Sequence, residues 1–298
     1  MNNKIIVIHH SADFDGLFCR EIARKFLPEA ELIGWDYGQP KIPYTPDATI
    51  YILDLSPECL DGLPPHTEHC RNIIWIDHHK SAIEKWPSII SGLRIDGVAA
   101  CRLAWQWFAE SEPFIFQKRH FVDRQVKEPL AVQLAGEYDI WDKREPKAEV
   151  FQFSLRSVPA EELDWNALLA PDEGGYFTWL LDRGFLLRNY QQQNDAGVVN
   201  YRSFMVEFEG LKFLALNTAR CNSLTFAAKD VPETGHDALM GFYFNGSKWS
   251  FSLYHANHRK DLDLSQIAVK YGGGGHRGAC GFKVSHLPDC VANIDTHH

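Results

Sequence analysis

Histidine and aspartate are the residues of this sequence best suited to chemistry, and they gather in four places. In His9-His10-Ser11-Ala12-Asp13-Phe14-Asp15-Gly16, His9, Asp13 and Asp15 stand at spacings of four and two. Asp54 closes the apolar run 50–53, and Asp77-His78-His79 follows directly on Ile73-Ile74-Trp75-Ile76. Asp139 lies in Gly136-Glu137-Tyr138-Asp139-Ile140-Trp141-Asp142, where Asp142 is a rival for the same role. Imidazole nitrogen and carboxylate oxygen suit Mn²⁺, Fe²⁺ or Zn²⁺. Each group also has a plainer reading. Asp15 could cap a helix, Asp54 could serve the turn before Ser56-Pro57, and the histidine pair could lie on the surface. Three strand ends that deliver Asp or His to one edge make a stronger case together. Such a carboxylate-rich pocket repels itself unless cations fill it. Two divalent ions would lower the pKa of a bound water and clamp the attacking and leaving oxygens of a phosphoryl displacement.

A second constellation is Gly272-Gly273-Gly274-Gly275-His276-Arg277-Gly278. Glycines let the backbone approach a ligand and present N–H groups to a phosphate. His276 and Arg277 add donors, and Arg pairs bidentately with phosphate. The glycines alone would read as a flexible loop.

These residues need elements to position them. Residues 4–9 form a short Ile- and Val-rich run, the pattern of a buried strand, and 31–35, 49–53 and 72–76 read as further strands. Residues 15–27 place Leu17, Phe18, Ile22, Ala23 and Phe26 on one helical face, and 98–109 and 129–137 read as helices. Alternation of this kind predicts an α/β domain with a parallel sheet flanked by helices. Ligands bind beyond the carboxyl ends of such strands. The stretch 146–175 carries Pro146, Pro159, Pro171 and Gly174-Gly175 and reads as a transition region, followed by a linking helix over 176–201. Strands are expected at 205–208, 212–216, 238–244 and 249–254, with Asn245-Gly246 as a hairpin turn and a helix over 264–270.

The chain of 298 residues is long enough for two domains. Its 45% hydrophobic and 23% charged composition is that of a globular protein. No apolar run approaches the roughly 20 residues of a membrane span, and no signal peptide is read at the start. Seven cysteines without a CxxC pair predict a reduced, cytoplasmic protein. The net charge of -9 argues against a grip on long nucleic acid, while a phosphate substrate stays open if metal ions supply the positive charge.

The series His9-x3-Asp13-x-Asp15, Asp54 and Asp77-His78-His79 resembles the DHH phosphoesterase superfamily. The run Gly272 to Phe282 resembles the GGGGH signature of the DHHA1 domain. The resemblance implies a DHH catalytic domain over 1–175, a linker helix over 176–201 and a smaller α/β DHHA1 substrate-binding domain over 202–298. It implies that His9, Asp13 and Asp54 hold one divalent metal ion, and that Asp15, Asp54, His78 and Asp139 hold the other. Asp54 would bridge the two ions, with Mn²⁺ the first candidate. His79 would contact the scissile phosphate or protonate the leaving oxygen, and Asp77 would orient a histidine ring. Gly273, Gly274, Gly275, His276 and Arg277 would bind substrate.

One departure stands out. Related chains often read Ser-Leu-Arg-Ser where this one reads Ser252-Leu253-Tyr254-His255. The charge would then come from His255, His258, Arg259 or Lys260, with Arg220 a further candidate. The activity implied is hydrolysis of short oligoribonucleotides or linear dinucleotides such as pGpG to nucleoside 5′-monophosphates, with the substrate between the two domains. A 3′-phosphoadenosine 5′-phosphate phosphatase and a cyclic-dinucleotide phosphodiesterase are alternatives, ahead of a pyrophosphatase or a non-catalytic nucleotide sensor. The expected partner is a short RNA or dinucleotide, with neither long nucleic acid nor membrane, and a homodimer is allowed for.

Overall fold

The computed structural model describes residues 4–63, 71–86, 89–109, 127–142, 144–171, 174–219 and 221–292. The chain forms two compact units, Met1–Arg188 and Asn189–His298.

In the first unit the Ile- and Val-rich runs become strands β1 (Lys4–His10), β2 (Glu31–Trp35), β4 (Ala48–Leu53) and β6 (Ile73–Ile76). They form one sheet in the order β2-β1-β4-β6, with every pairing parallel. Strands β3 (Ile42–Pro43) and β5 (Leu60–Asp61) make a separate two-stranded ribbon. Helix α1 (Phe14–Phe26) starts where the Asp13 carboxylate accepts from Gly16 N at 3.0 Å. It lays Phe18, Cys19, Ile22 and Ala23 against Val7, Leu53 and Ile76 of the sheet. Burial of a side chain as large as Phe18 contributes roughly 1.5–3 kcal/mol.

Helices α3 (Ala100–Ala109), α4 (Leu130–Asp139), α5 (Pro146–Leu155) and α6 (Trp165–Leu168) contribute to the same core. The other sheet face carries Ile6, Ile8, Ile50, Ile52, Ile73 and Trp75. It packs against Leu55, Cys59 and Leu60 and against Ala82 of the short helix α2 (Lys80–Lys85).

Residues 146–175 are not the transition region that their prolines suggest. Pro146 sits in the first turn of α5, where its fixed φ suits a helix start, and the Glu145 side chain accepts from Lys147 N at 2.9 Å. Phe151, Leu155, Leu163 and Leu168 are buried in the first core. Helix α7 (Gly175–Arg202) then runs across the division between the units. Phe177 and Leu180 join the first core, and Val199 packs with Leu214, Phe226 and Leu239 of the second unit.

The second unit is a six-stranded sheet in the order β11-β12-β10-β9-β8-β7. Its strands are β7 (Phe204–Phe208), β8 (Leu211–Asn217), β9 (Ala238–Phe244), β10 (Trp249–His255), β11 (Gly274–His276) and β12 (Ala279–Val284). Only β8 and β9 pair parallel. The β9–β10 hairpin turns at Asn245, whose side chain accepts from Ser247 N and Lys248 N at 3.0 and 2.9 Å. Phe251 stacks on Phe282 with ring centroids 4.9 Å apart. Helix α8 (Ser265–Lys270) adds Ala268 to this core.

Candidate metal centre

The carboxyl ends of β1, β4 and β6 open onto one edge, and Asp and His side chains converge there. Asp13, Asp15, Asp54, His78 and Asp139 all take part. Within 4.8 Å of one another lie donor atoms of His10, Asp13 and Asp54; of Asp15, His78 and Asp139; and of Asp54, His78 and His79. Asp54 belongs to two of these groups, which is the arrangement a bridging ligand needs. It also carries backbone strain, since its φ of 59° lies in the left-handed region. Non-glycine residues held there cluster at functional sites.

His9 does not join the cluster, and His10 takes the place expected for it. Successive strand residues point to opposite faces. His9 shares the parity of Val7, in the first core, and His10 that of Ile8, in the second. The buried His9 ring lies against Gly34, its Nδ1 donates to the His10 carbonyl at 2.8 Å, and burial lowers its pKa to about 4. His10 Nδ1 lies 2.7 Å from Asp13 Oδ2 and 3.4 Å from Asp54 Oδ2, and its Nε2 is 3.3 Å from Asp36 Oδ1. Gly16 is required beside it, because a Cβ there would fall 2.1 Å from the His10 carbonyl oxygen.

Asp15 is buried at the start of α3. One oxygen accepts from Ala100 N at 2.8 Å and the other from Cys101 N at 2.7 Å. His78 Nε2 faces Asp139 at 3.3 Å, Asp54 at 3.4 Å and Asp15 at 3.5 Å. Asp139 reaches His78, whereas Asp142 accepts from Arg144 N at 3.1 Å and from Arg144 Nε at 2.9 Å. Asp77 is fully buried, and its Oδ1 takes the Nδ1 proton of His79 at 2.7 Å and the backbone N–H of His78 at 2.8 Å. The ring that Asp77 orients is therefore that of His79.

The electrostatics describe a pocket short of positive charge. Burial and the Asp54 charge raise Asp15 to about 7, and burial and the Asp15 charge raise Asp139 to about 7. Burial opposes protonation of His10, but the Asp13 and Asp54 carboxylates overcome it and raise the ring to about 11. His78 is raised to about 10, against its burial, by Asp54, Asp15 and Asp139. Both oxygens of Asp54, a residue 1% exposed, are buried without a hydrogen bond. Buried carboxylates are otherwise paired or coordinate metals. The donor set, hard carboxylates with imidazole around a shared aspartate, fits two divalent ions.

A cavity of about 400 Å³ adjoins His79 and is lined by Tyr37, Ser56, Glu58, Ser81, Ala82 and Lys85. No motif marked it, because its residues come from separate loops and α2.

In the second unit the glycine run is an ordered edge strand, β11, paired with β12. Gly275 has φ 133°, and a Cβ there would meet Ala279 O at 2.7 Å. A Cβ on Gly273 would lie 2.1 Å from Gly281 O, so these two glycines serve close strand packing, while Gly274 is open. His276 and Arg277 are exposed, with Arg277 Nη2 donating to the Asp261 carbonyl at 2.9 Å. His255 and Arg259 are engaged within the unit. His255 Nε2 donates to Leu262 O at 2.8 Å, and the Arg259 guanidinium pairs with Asp237 and Asp261. Arg220 lies outside the described residues.

No protein-family model matches the sequence. The uncharacterized protein R106 of Acanthamoeba polyphaga mimivirus is 25% identical over 232 residues, 73% of this chain and 49% of that protein. The chain thus spans about half the length of the curated relative it matches. Among solved structures, the pGpG-specific phosphodiesterase PggH of Vibrio cholerae superposes with a TM-score of 0.54 at 14% identity, covering 97% of this chain and 95% of its own. A DHH domain from a member of a family of ribosomal proteins gives 0.53 at 13%, covering 94% and 82%. RecJ of Thermus thermophilus in complex with Mg²⁺ gives 0.52 at 13%, covering 97% and 48%.

The chain shares a two-domain α/β fold with these solved structures, and the likeness is one of fold. Its Asp/His clusters are groups that could hold divalent metal ions. Among the described residues no helix is long and apolar enough to cross a membrane.

Proposed function

We propose that this protein is a cytoplasmic, two-metal phosphodiesterase that hydrolyses short oligoribonucleotides or linear dinucleotides, such as pGpG, to nucleoside 5′-monophosphates. The observation that carries the reading is Asp54, buried, strained and without a hydrogen bond, its two oxygens each 3.4 Å from a ring nitrogen of His10 or His78, where the His10/Asp13 group and the His78 group meet. His10, Asp13 and Asp54 would hold one ion, and Asp54, Asp15, His78 and Asp139 the other, with Mn²⁺ the preferred metal. When bound, such a pair activates a water and neutralises the phosphoryl oxygens.

The chain's own residues do the rest. Asp77 accepts a hydrogen bond from His79 Nδ1–H, and that bond raises the His79 pKa and so favours the ring protonated at both nitrogens. His79 Nε2 is then free to give a proton to the leaving oxygen. The cavity beside His79 presents the Tyr37 ring as a surface for a base and Lys85 and Ser81 as polar contacts. In the second unit, Gly274, His276 and Arg277 offer backbone N–H and charged donors to the part of the substrate that is not cut. The name of the Vibrio phosphodiesterase supports the dinucleotide reading by analogy of fold.

The test is a substrate panel of linear dinucleotides, longer RNA, cyclic dinucleotides, 3′-phosphoadenosine 5′-phosphate and pyrophosphate, each with Mn²⁺. Fastest turnover of a linear dinucleotide is expected. Turnover of pyrophosphate or 3′-phosphoadenosine 5′-phosphate alone would overturn the proposal.

A further inference from the structure

A fourth group of potential ligands belongs to the second unit. Asp230, His236 and His258 bring one donor atom each to within 4.8 Å of one another. Asp230 and His236 belong to the loop between β8 and β9, and His258 to the loop after β10. Asp230 is 6% exposed and His236 2%. Each ring has one nitrogen engaged: His236 Nε2 donates to Asp230 Oδ1 at 3.1 Å, and His258 Nε2 to the carbonyl oxygen of His236 at 2.9 Å. Nδ1 of both rings is buried without a hydrogen bond. The ring centroids are 5.2 Å apart at an interplanar angle of 75°, so the rings meet edge to face. Asn257 N donates to both Asp230 oxygens, at 3.1 and 3.2 Å, and holds the carboxylate in place.

A structural Asp–His pair would explain Asp230 and His236 alone. It leaves His258 and its buried, unpartnered Nδ1 without a purpose, and buried polar atoms are rarely left so. His258 has the form usual for a metal-binding histidine, with Nε2 tied to a backbone carbonyl and Nδ1 free to ligate. The 3.1 Å between His236 Nε2 and Asp230 Oδ1 suits two ligands of one ion that takes the place of the proton between them. One carboxylate and two imidazoles form a donor set for a zinc-class ion.

We propose that Asp230, His236 and His258 hold one divalent transition-metal ion of the zinc class, with water completing a four-coordinate shell. The ion would fasten the β8–β9 loop to the loop after β10. That second loop is already tied to the glycine strand, since Leu264 N donates to Arg277 O and Arg277 Nη2 to Asp261 O, each at 2.9 Å. The ion would thereby steady the segment that presents Arg277.

The test uses tag-free, full-length protein carrying Asp54→Ala and His78→Ala, which remove ligands from the sheet-edge centre. The protein is stripped with chelator and equilibrated with Zn²⁺, and bound zinc is counted by mass spectrometry. Thermal midpoints are recorded with and without the ion. We expect one equivalent of zinc fewer when His258→Gln or His236→Gln is added, and loss of the zinc-dependent rise in midpoint. The half-buried His258 keeps the test readable if His236→Gln does not fold. A parent that binds no zinc, or a folded His258→Gln variant with undiminished zinc, overturns the proposal. Neither outcome depends on hydrolytic activity.

Discussion

At the scale of single residues, His79 and Asp77 divide one task. If His79 donates the proton to the leaving oxygen, His79→Ala lowers kcat by about 10²–10⁴-fold, the usual contribution of a positioned acid. Asp77→Asn acts through His79 and costs about 10–100-fold, as loss of an orienting partner does. It also replaces the carboxylate, whose charged hydrogen bond and field raise the His79 pKa, by a neutral amide. An acid must be protonated, so activity falls as pH rises through its pKa. The alkaline limb of the kcat profile should therefore move to lower pH in Asp77→Asn. A limb that stays in place would show that Asp77 does not tune this ring.

His10 offers a second contrast. His10→Ala should lose bound Mn²⁺, measured by mass spectrometry, while His9→Gln should keep the full complement. The opposite result would return the ligand role to His9. That Asp13, Asp15, Asp54, His78 and Asp139 gather at one edge was legible in the sequence, most directly for Asp54 and His78, which stand behind apolar runs, and through the family resemblance for Asp139. The choice between His9 and His10 was not, since spacing from Asp13 favours one and strand parity the other. Parity becomes readable only once it is known which core face Val7 and Ile8 each serve.

At the scale of elements, Asp15 joins the site to the scaffold. Its carboxylate accepts the backbone N–H groups of Ala100 and Cys101 in the first turn of α3, so it caps that helix besides facing His78. Asp15→Ala should destabilise the protein by about 0.5–2 kcal/mol even in chelator, the range for a lost helix cap. Asp139, at the far end of α4, caps no helix among the described residues and is raised to about 7 by burial and the Asp15 charge, so Asp139→Ala in chelator at neutral pH should not destabilise the protein. Urea unfolding in chelator separates the two, and equal midpoints would remove the capping role.

The strands and α1 were readable from hydrophobic periodicity, and the Asn245 turn from its chemistry. Residues 146–175 misled because Pro146 and Pro159 look alike in sequence. Pro146 starts a helix, and burial of Phe151 and Leu155 then draws the segment into the core. The glycine run misled in a similar way. Its φ values and close approaches serve a strand pairing that no local signal announces.

For the whole molecule, the net charge of -9 limits what binds. Long polyanions gain little from such a surface, so binding energy must come from the metals and a few local donors. We predict that kcat/KM for 5′-labelled RNA is highest at two nucleotides and falls at three, five and ten or more, at fixed Mn²⁺ and salt. Values that hold or rise with length would point to a processive exonuclease. The most direct test of the central claim, that Asp54 joins two ions into one hydrolytic centre, is a paired measurement on the wild type and Asp54→Ala. Bound Mn²⁺ and turnover of a linear dinucleotide are recorded together, with circular dichroism to confirm folding. The account predicts two ions and chelator-sensitive turnover in the wild type, and a folded Asp54→Ala variant with both nearly abolished. Full turnover by Asp54→Ala in metal-free buffer would contradict it.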